Sequence, residues 1–214
     1  MSAAWREPLA YNPDMMGGIV LAAGASSRMG RTKALLPSGD GRSFLERVVA
    51  SLRQGGAGEV VVVLGRDAAA VEKHASSAGV AARLAVNPDP DRGQLSSLLA
   101  ALDVLADRPF EGVAVVPVDL PLVSAATVAR VIAAWRPSGA AIARPVSGDG
   151  RHGHPVVFAA RLFPELAAAD VAVGARQVVR AHAAETVDVP VEDEGAFEDI
   201  DTPADYERLI GPLR

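Results

Sequence analysis

The chain has 214 residues, enough for one large domain or two small ones, and half of them are apolar, which suffices for a substantial core. Its formal net charge of −5 at pH 7 excludes the broad basic surface typical of nucleic-acid binding, so we expect no nucleic-acid partner. The absence of cysteine excludes disulfides, thiol catalysis and cysteine-ligated zinc or iron–sulfur centres, and it fits a cytoplasmic enzyme.

Residues 1–16 are predicted to form a flexible tail ahead of one domain that spans residues 17–214. This segment carries acidic residues and the structure breakers Pro8, Asn12 and Pro13, and it lacks the apolar stretch of a signal peptide. No run in the chain approaches the roughly 20 apolar residues that a membrane helix needs, so we expect no membrane association.

Short β-branched runs alternate along the chain with longer runs rich in alanine and leucine, the pattern of βα units with a parallel sheet. The predicted strands cover residues 18–23, 59–65, 82–86, 113–118, 140–144, 155–159 and 185–189. The predicted helices cover residues 43–54, 67–78, 94–106, 125–135, 175–183 and 203–210, with Ser124 and Thr202 as N-cap candidates. Several strands are apolar at nearly every position, as strands buried on both faces must be. The pattern predicts one α/β domain with helices on both faces of a mostly parallel sheet.

The loop after the first predicted strand reads LAAGASSRMGRTK over residues 21–33 and is the first functional signal. In a parallel sheet, ligands bind beyond the carboxyl ends of the strands, where this loop lies. Its glycines, Gly24 and Gly30, fit neither the G-x-G-x-x-G fingerprint of dinucleotide sites nor the Walker spacing of phosphate loops. A glycine-permitted turn with exposed N–H groups, followed by Arg28 and Lys33, can still bind a triphosphate.

Two aspartate motifs follow later in the chain. Asp119 comes directly after an apolar run, where a carboxylate is costly to desolvate unless it is paired or binds a cation, although a turn or capping role is the alternative. Asp199 and Asp201 alternate around Ile200, so in an extended segment both carboxylates lie on one face, and either could meet Asp119 across a metal ion. Asp201 could instead contribute to the cap of the helix that starts at Pro203.

The arrangement L-A-A-G-x-S-x-R-M-G-x-x-K resembles the signature of the MobA-like nucleotidyltransferase family, and LAAG in place of LAGG resembles its molybdenum cofactor cytidylyltransferase (MocA-like) branch. The segments GQLSSL (93–98), PVDLP (117–121), RHGHPVVF (151–158) and DIDTPADY (199–206) are similar to later motifs of the family and follow in family order. The resemblance implies a three-layer α/β/α fold with a Rossmann-like sheet of the nucleotide-diphospho-sugar transferase (GT-A) type. It also implies Mg²⁺-dependent nucleotidyl transfer from CTP to molybdopterin cofactor, with a molybdenum hydroxylase or its accessory protein as a further partner.

The same resemblance implies which residues form the nucleotide site. They are Leu21, Ala22, Ala23, Gly24, Ser26, Ser27, Arg28, Lys33, Gln94, Ser96, Ser97 and Asp119. Arg28 would bind the β- and γ-phosphates, Lys33 the reacting phosphates, and these two with Asp119 are the catalytic candidates. Asp119 and Asp201 would hold Mg²⁺, which takes few protein ligands because it keeps waters and binds phosphates. For Gln94, Ser96 and Ser97, the alternative to contacts with base or ribose is a capped helix start.

Two basic segments allow more than one interpretation. His152 and His154 could ligate zinc, but zinc needs a third protein ligand and no other histidine has matching spacing. The alternative is a substrate-facing loop over residues 151–154, in which Arg151 faces the substrate and Gly153 permits a close approach. Arg176 could bind a substrate phosphate or be an exposed helix arginine.

Three other activities remain open at this point. The same fold could use GTP, or transfer a nucleotide to a sugar phosphate or another small phosphorylated acceptor. Some similar sequences carry the name nicotine blue oxidoreductase, yet an NAD(P)H-dependent enzyme ordinarily shows the G-x-G-x-x-G fingerprint, which is absent here. A non-catalytic accessory protein that carries finished cofactor to a molybdenum hydroxylase is the third. Ala23 carries much of the case for CTP over GTP.

Overall fold

Seven strands form one sheet in the computed structural model, which describes residues 15–212. The strands are β1 (Met16–Ala22), β2 (Ala57–Leu64), β3 (Arg83–Val86), β4 (Gly112–Pro117), β5 (Ile142–Val146), β6 (Val156–Ala159) and β7 (Thr186–Pro190). Their spatial order is β3-β2-β1-β4-β6-β5-β7, and every neighbouring pair is parallel except that β6 runs antiparallel to β4 and β5. The predicted mostly parallel sheet is confirmed, with small shifts at the strand ends.

Seven α-helices flank this sheet in the described part of the chain. They are α1 (Phe44–Gln54), α2 (Ala68–Ser77), α3 (Gln94–Leu105), α4 (Ala125–Trp135), α5 (Phe163–Ala168), α6 (Arg176–Ala181) and α7 (Pro203–Leu209). Ser124 and Thr202 are confirmed as N-caps, because their side chains accept hydrogen bonds from the N–H groups of Thr127 and Asp205. The prediction missed α5, which has only six residues and a proline in its first turn.

Alternate residues of the central strands pack into two separate cores, one on each face of the sheet. In β1, Met16 and Val20 join the core beneath α1, α2 and α4, whereas Ile19 and Leu21 join the core beneath α3, α5 and α6. Because both faces are covered, such a strand must be apolar at consecutive positions. The predicted three-layer α/β/α architecture is therefore confirmed.

The parallel strands β1, β2 and β4 end at the same edge of the sheet, so the loops that follow them lie together. The tail predicted for residues 1–16 falls mainly on residues 1–14, which lie outside the described residues, and Met16 is already the first residue of β1. Within residues 15–212, no helix has the length and apolar character needed to cross a membrane.

Candidate active site

The loop between β1 and Lys33 folds into a tight turn around Ser26. Ser26 adopts a left-handed backbone conformation with φ of 49°, and its carbonyl oxygen accepts hydrogen bonds from the N–H groups of Met29 (3.1 Å) and Gly30 (3.0 Å). The side chain of Met29 is buried and anchors the turn in the core. Among the described residues, no protein acceptor receives the N–H groups of Ala25, Ser27 or Arg28. A turn with unpaired N–H donors can bind an anion.

Lys33 joins this loop to both aspartate motifs. Its ammonium group donates a hydrogen bond to Asp119 Oδ2 at 3.0 Å and another to Asp201 Oδ1, while its backbone N–H donates to Ser26 Oγ at 3.2 Å. The Lys33 side chain is only 11% exposed. Burial lowers the pKa of Lys33, but the two carboxylates outweigh burial and raise the pKa above its usual value. Lys33 is therefore a charged group at neutral pH.

The backbone brings Asp119 and Asp201 together although they are far apart in sequence. The N–H of Ile200 donates to the carbonyl oxygen of Asp119 at 2.8 Å, and the Ile200 side chain is fully buried. Asp201 is thereby held beside the turn after β4. Its carboxylate contacts Lys33 and also Arg28, whose Nη2 lies 2.7 Å from Asp201 Oδ2. The cap of α7 is made instead by Thr202 and Asp205, so the capping alternative for the Asp201 carboxylate is wrong.

The pKa values of the two neighbouring aspartates move in opposite directions. Burial alone raises the pKa of Asp201, but the hydrogen bond and charge of Lys33 lower it overall. The pKa of Asp199 is raised by burial and by the nearby charge of Asp201. Of this pair, Asp201 is therefore the more readily ionised carboxylate.

The chemistry of Asp119 and Asp201 fits a divalent cation. The Lys33 ammonium contacts an oxygen of each carboxylate, so the two carboxylates lie close enough together to bind one cation between them. In the described part of the chain, no group of three or more histidine, cysteine, aspartate or glutamate side chains could hold a metal ion. Two carboxylates suit Mg²⁺, which completes its shell with water and phosphate oxygens.

A cavity of about 200 Å³ lies in front of the loop and the turn after β4, and we call it the cradle. Its lining includes Leu21, Ala22, Ala23, Gly24, Ser26, Lys33, Gln94, Ser97 and Asp119 from the predicted set. The cradle is not lined by Ser27, Arg28, Ser96 or Asp201. Asp201 nevertheless contacts Lys33, which does line it, and Arg28 contacts Asp201. Thr32 also lines the cradle and was not predicted, and its hydroxyl donates to Asp67 at 2.7 Å.

The predicted hydroxyl groups of GQLSSL are already bonded within the protein. Asn87, which is buried, donates from Nδ2 to Ser96 Oγ at 2.8 Å and to Ser97 Oγ at 3.0 Å. Helix α3 begins after Gly93 without a side-chain cap, so neither serine is an N-cap. Gln94, which is exposed at the start of α3, keeps a side chain available to a ligand. Asn87 escaped prediction because it lies outside every recognised motif.

The segment RHGHPVVF is divided between structural and site-facing residues. Arg151 bonds to Asp149 and to Glu194, lies over the Phe197 ring and lines neither the cradle nor the second cavity described below. The close approach at Gly153 is made by protein, because a Cβ there would lie 2.2 Å from Ala196 O. His152 and His154 do face a cavity, as described next.

A second cavity of about 390 Å³ adjoins the cradle and shares Leu21 and Gln94 with it. We call it the second pocket. Its polar lining comprises Gln94, Arg144, His152, His154, Arg176 and Arg180, and the rest is mainly apolar. His152 contacts Asp188 (3.3 Å), and His154 contacts the carbonyl of Val115 (3.1 Å). These contacts are not those of a zinc site.

Known proteins resemble this chain over most of its length. A family model described as the MobA-like NTP transferase domain matches residues 18–187. Nicotine blue oxidoreductase of Paenarthrobacter nicotinovorans is 37% identical over 199 residues, which is 90% of this chain and 95% of that protein. Molybdenum cofactor guanylyltransferase of Xanthomonas euvesicatoria pv. vesicatoria (strain 85-10) is 43% identical over 116 residues, which is 54% of this chain and 53% of that protein.

Solved structures of a mycobacterial protein share the fold over nearly the whole chain. The crystal structure of Rv0371c from Mycobacterium tuberculosis H37Rv has a TM-score of 0.77 and 31% identity, covering 92% of this chain and 97% of that one. A crystal structure of Rv0371c in complex with manganese has a TM-score of 0.72 and 28% identity, covering 92% of this chain and 98% of that one.

Proposed function

Because this chain belongs to the MobA-like NTP transferase family, we propose that it is a Mg²⁺-dependent nucleotidyltransferase that transfers CMP from CTP to the phosphate of molybdopterin cofactor. The observation that carries this proposal is the Lys33 ammonium, which contacts both Asp119 and Asp201 beside the anion-binding turn. The groups that we assign to phosphate and to metal thus lie at one point, as transfer between phosphates requires.

The reaction needs no nucleophile from the protein. An oxygen of the acceptor phosphate attacks the α-phosphorus of CTP, the bond between the α-phosphorus and the bridging oxygen breaks, and pyrophosphate leaves with the electron pair. The loop N–H groups and Arg28 bind the β- and γ-phosphates, and Lys33 binds the reacting phosphates. Asp119 and Asp201 would hold Mg²⁺, which when bound neutralises the charge that develops on the phosphates.

The choice of nucleotide is assigned to the lining of the cradle next to β1 and α3. Ala23 is buried at the start of the loop, and Gln94 is available to hydrogen bond with base or ribose. We assign the preference for CTP mainly to Ala23, on the resemblance of LAAG to the cytidylyltransferase branch. The relative named molybdenum cofactor guanylyltransferase makes GTP the first competitor to test.

The test is pyrophosphate release by purified protein with Mg²⁺, molybdopterin cofactor and each of the four nucleotides. We expect turnover with CTP, and we expect Asp119→Asn to lower it by orders of magnitude while the melting temperature and circular dichroism stay near those of the unmodified chain. Asp103→Asn is the matched control, because Asp103 is an exposed aspartate on α3, away from the cradle. Undiminished turnover in Asp119→Asn would refute the metal assignment.

An oxidoreductase activity is the second candidate, favoured by the 37% identity to nicotine blue oxidoreductase over 90% of this chain. The loop after β1 lacks the G-x-G-x-x-G fingerprint that NAD(P)H enzymes ordinarily use. Oxidation of NADH or NADPH at an enzymatic rate, without pyrophosphate release, would favour this candidate. Tight binding of molybdopterin cofactor with neither reaction would instead favour a carrier that serves a molybdenum hydroxylase.

A further inference from the structure

The second pocket is placed to hold a molecule that reacts with one bound in the cradle. Leu21 and Gln94 line both cavities, so the two cavities are direct neighbours on either side of these residues. The second pocket lies between α3, α6 and the edge of the sheet where β1 and β4 end. A ligand there would lie beside Gln94, which also lines the cradle together with the loop and Asp119.

The charge of the second pocket is positive, although the whole chain is acidic. Its charged side chains are Arg144, Arg176 and Arg180, and none of its lining residues is acidic. Arg144 is neutralised by Asp188, at 2.7 Å from its Nε. Arg176 and Arg180 have no hydrogen-bond or ion-pair partner within residues 15–212. They stand four residues apart on α6, where like charges repel each other, so an anion between them would be stabilised.

His154 adds a hydrogen-bonding group of fixed polarity. A carbonyl oxygen only accepts hydrogen bonds, so the 3.1 Å contact between His154 Nδ1 and Val115 O requires that Nδ1 carry the hydrogen. Burial lowers the pKa of His154, which keeps the ring neutral at pH 7. In the neutral ring Nε2 is an acceptor, and no protein donor reaches it within the described chain.

We propose that the second pocket binds the acceptor as an amphipathic anion. Arg176 and Arg180 bind an anionic group of that molecule, and His154 Nε2 accepts a hydrogen bond from an N–H or O–H on its body. The apolar lining, to which Leu95, Leu98, Phe158 and Val179 belong, covers the rest of the body. This assignment rests on the proposed function, because it takes the cradle as the nucleotide site.

The kinetic test compares Arg176→Gln and Arg180→Gln with Arg130→Gln. Arg130 is an exposed arginine on α4 that lines neither cavity, so it controls for the loss of one charge. Loss of one charge-assisted hydrogen bond should raise the KM for molybdopterin cofactor roughly tenfold or more, with the KM for CTP unchanged. Arg130→Gln should leave both KM values unchanged. Equal KM values for the acceptor in all three variants would overturn the proposal.

A binding measurement separates this proposal from the proposed reaction. The affinity for molybdopterin cofactor is measured by calorimetry on the full chain, with and without CTP. Weaker binding in Arg176→Gln and Arg180→Gln but not in Arg130→Gln supports the pocket even where no pyrophosphate is released, which would contradict only the reaction. Pyrophosphate release with unaltered acceptor binding in all three variants refutes the pocket and leaves the reaction standing.

The role of His154 has its own variant. His154→Asn can keep a donor to Val115 O, because the amide nitrogen of asparagine can take the place of Nδ1, but it lacks an acceptor at the position of Nε2. We expect weaker acceptor binding, an unchanged KM for CTP and a melting temperature close to that of the unmodified chain. Unchanged acceptor affinity would remove His154 from the recognition of the acceptor.

Discussion

Replacement of Lys33 by methionine tests the ion pairs that Lys33 makes with Asp119 and Asp201. The substitution leaves the Asp119 and Asp201 carboxylates close together without their shared ammonium, while Arg28 stays on Asp201 but is 68% exposed and contributes little. A hydrogen bond to a charged group is worth about 1.5–3 kcal/mol, and the carboxylates keep partial contact with water. Two such bonds are lost, and water replaces part of their strength. We therefore expect the free energy of unfolding to fall by about 2.5 kcal/mol, or the melting temperature by roughly 5–10 °C for a domain of this size.

The assay is thermal unfolding of the unmodified chain and of Lys33→Met, each with and without Mn²⁺ or Mg²⁺. Because the ammonium competes with a metal ion for the same two carboxylates, the metal should raise the melting temperature of Lys33→Met more than that of the unmodified chain. Lys73→Met, at an exposed position of α2, is the control and should behave as the unmodified chain does. Equal melting temperatures and equal metal responses in all three proteins would refute the reasoning.

Four other substitutions test separate parts of the site. A Cβ on Gly65 would lie 2.4 Å from Ala23 O, so Gly65→Ala should displace the loop and raise the KM for CTP without unfolding the domain. Ala23→Gly should shift the preference from CTP towards GTP in pyrophosphate release; an intact CTP preference would remove Ala23 from nucleotide selection. Lys33 lowers the pKa of Asp201 against the effect of burial. The free energy of unfolding of the unmodified chain should therefore exceed that of Asp201→Asn by its full margin above about pH 4, and the margin should disappear as the pH falls through the lowered pKa. Thr202→Ala should cost about 1 kcal/mol in urea unfolding, because it removes the cap of α7.

The sheet could be predicted because strands buried on both faces are apolar at consecutive positions, which is a recognisable sequence pattern. Strands such as β2 and β4 are apolar at consecutive positions, and Ser124 and Thr202 mark the helix starts by their chemistry. Helix α5 has no such recognisable pattern, because six residues are too few to show a repeating apolar face. The antiparallel direction of β6 was also invisible, since a short apolar strand reads the same in either direction.

The site could be predicted only where a motif carries the chemistry. Lys33, Asp119 and Asp201 belong to such motifs, and the structure places their side chains in contact. Gly65 and Asn87 act through contacts that depend on how β2 and the following loop pack, which no local pattern records. For Arg151 the charge was evident, but the partners that hold it, Asp149 and Glu194, depend on tertiary packing. The second pocket is likewise assembled from residues distant in sequence.

The contact between Lys33 and Asp201 spans 168 residues, and the hydrogen bond from the Tyr206 hydroxyl to Pro37 O spans 169. During synthesis on a ribosome, Lys33 and Pro37 therefore cannot make these contacts until Asp201 and Tyr206 have emerged. Contacts of such long range close late and slow the search for the folded state. A nascent chain that has not yet emerged to Asp201 would present the loop with Asp119 alone, so we expect nucleotide binding to appear only after Asp201 has left the ribosome.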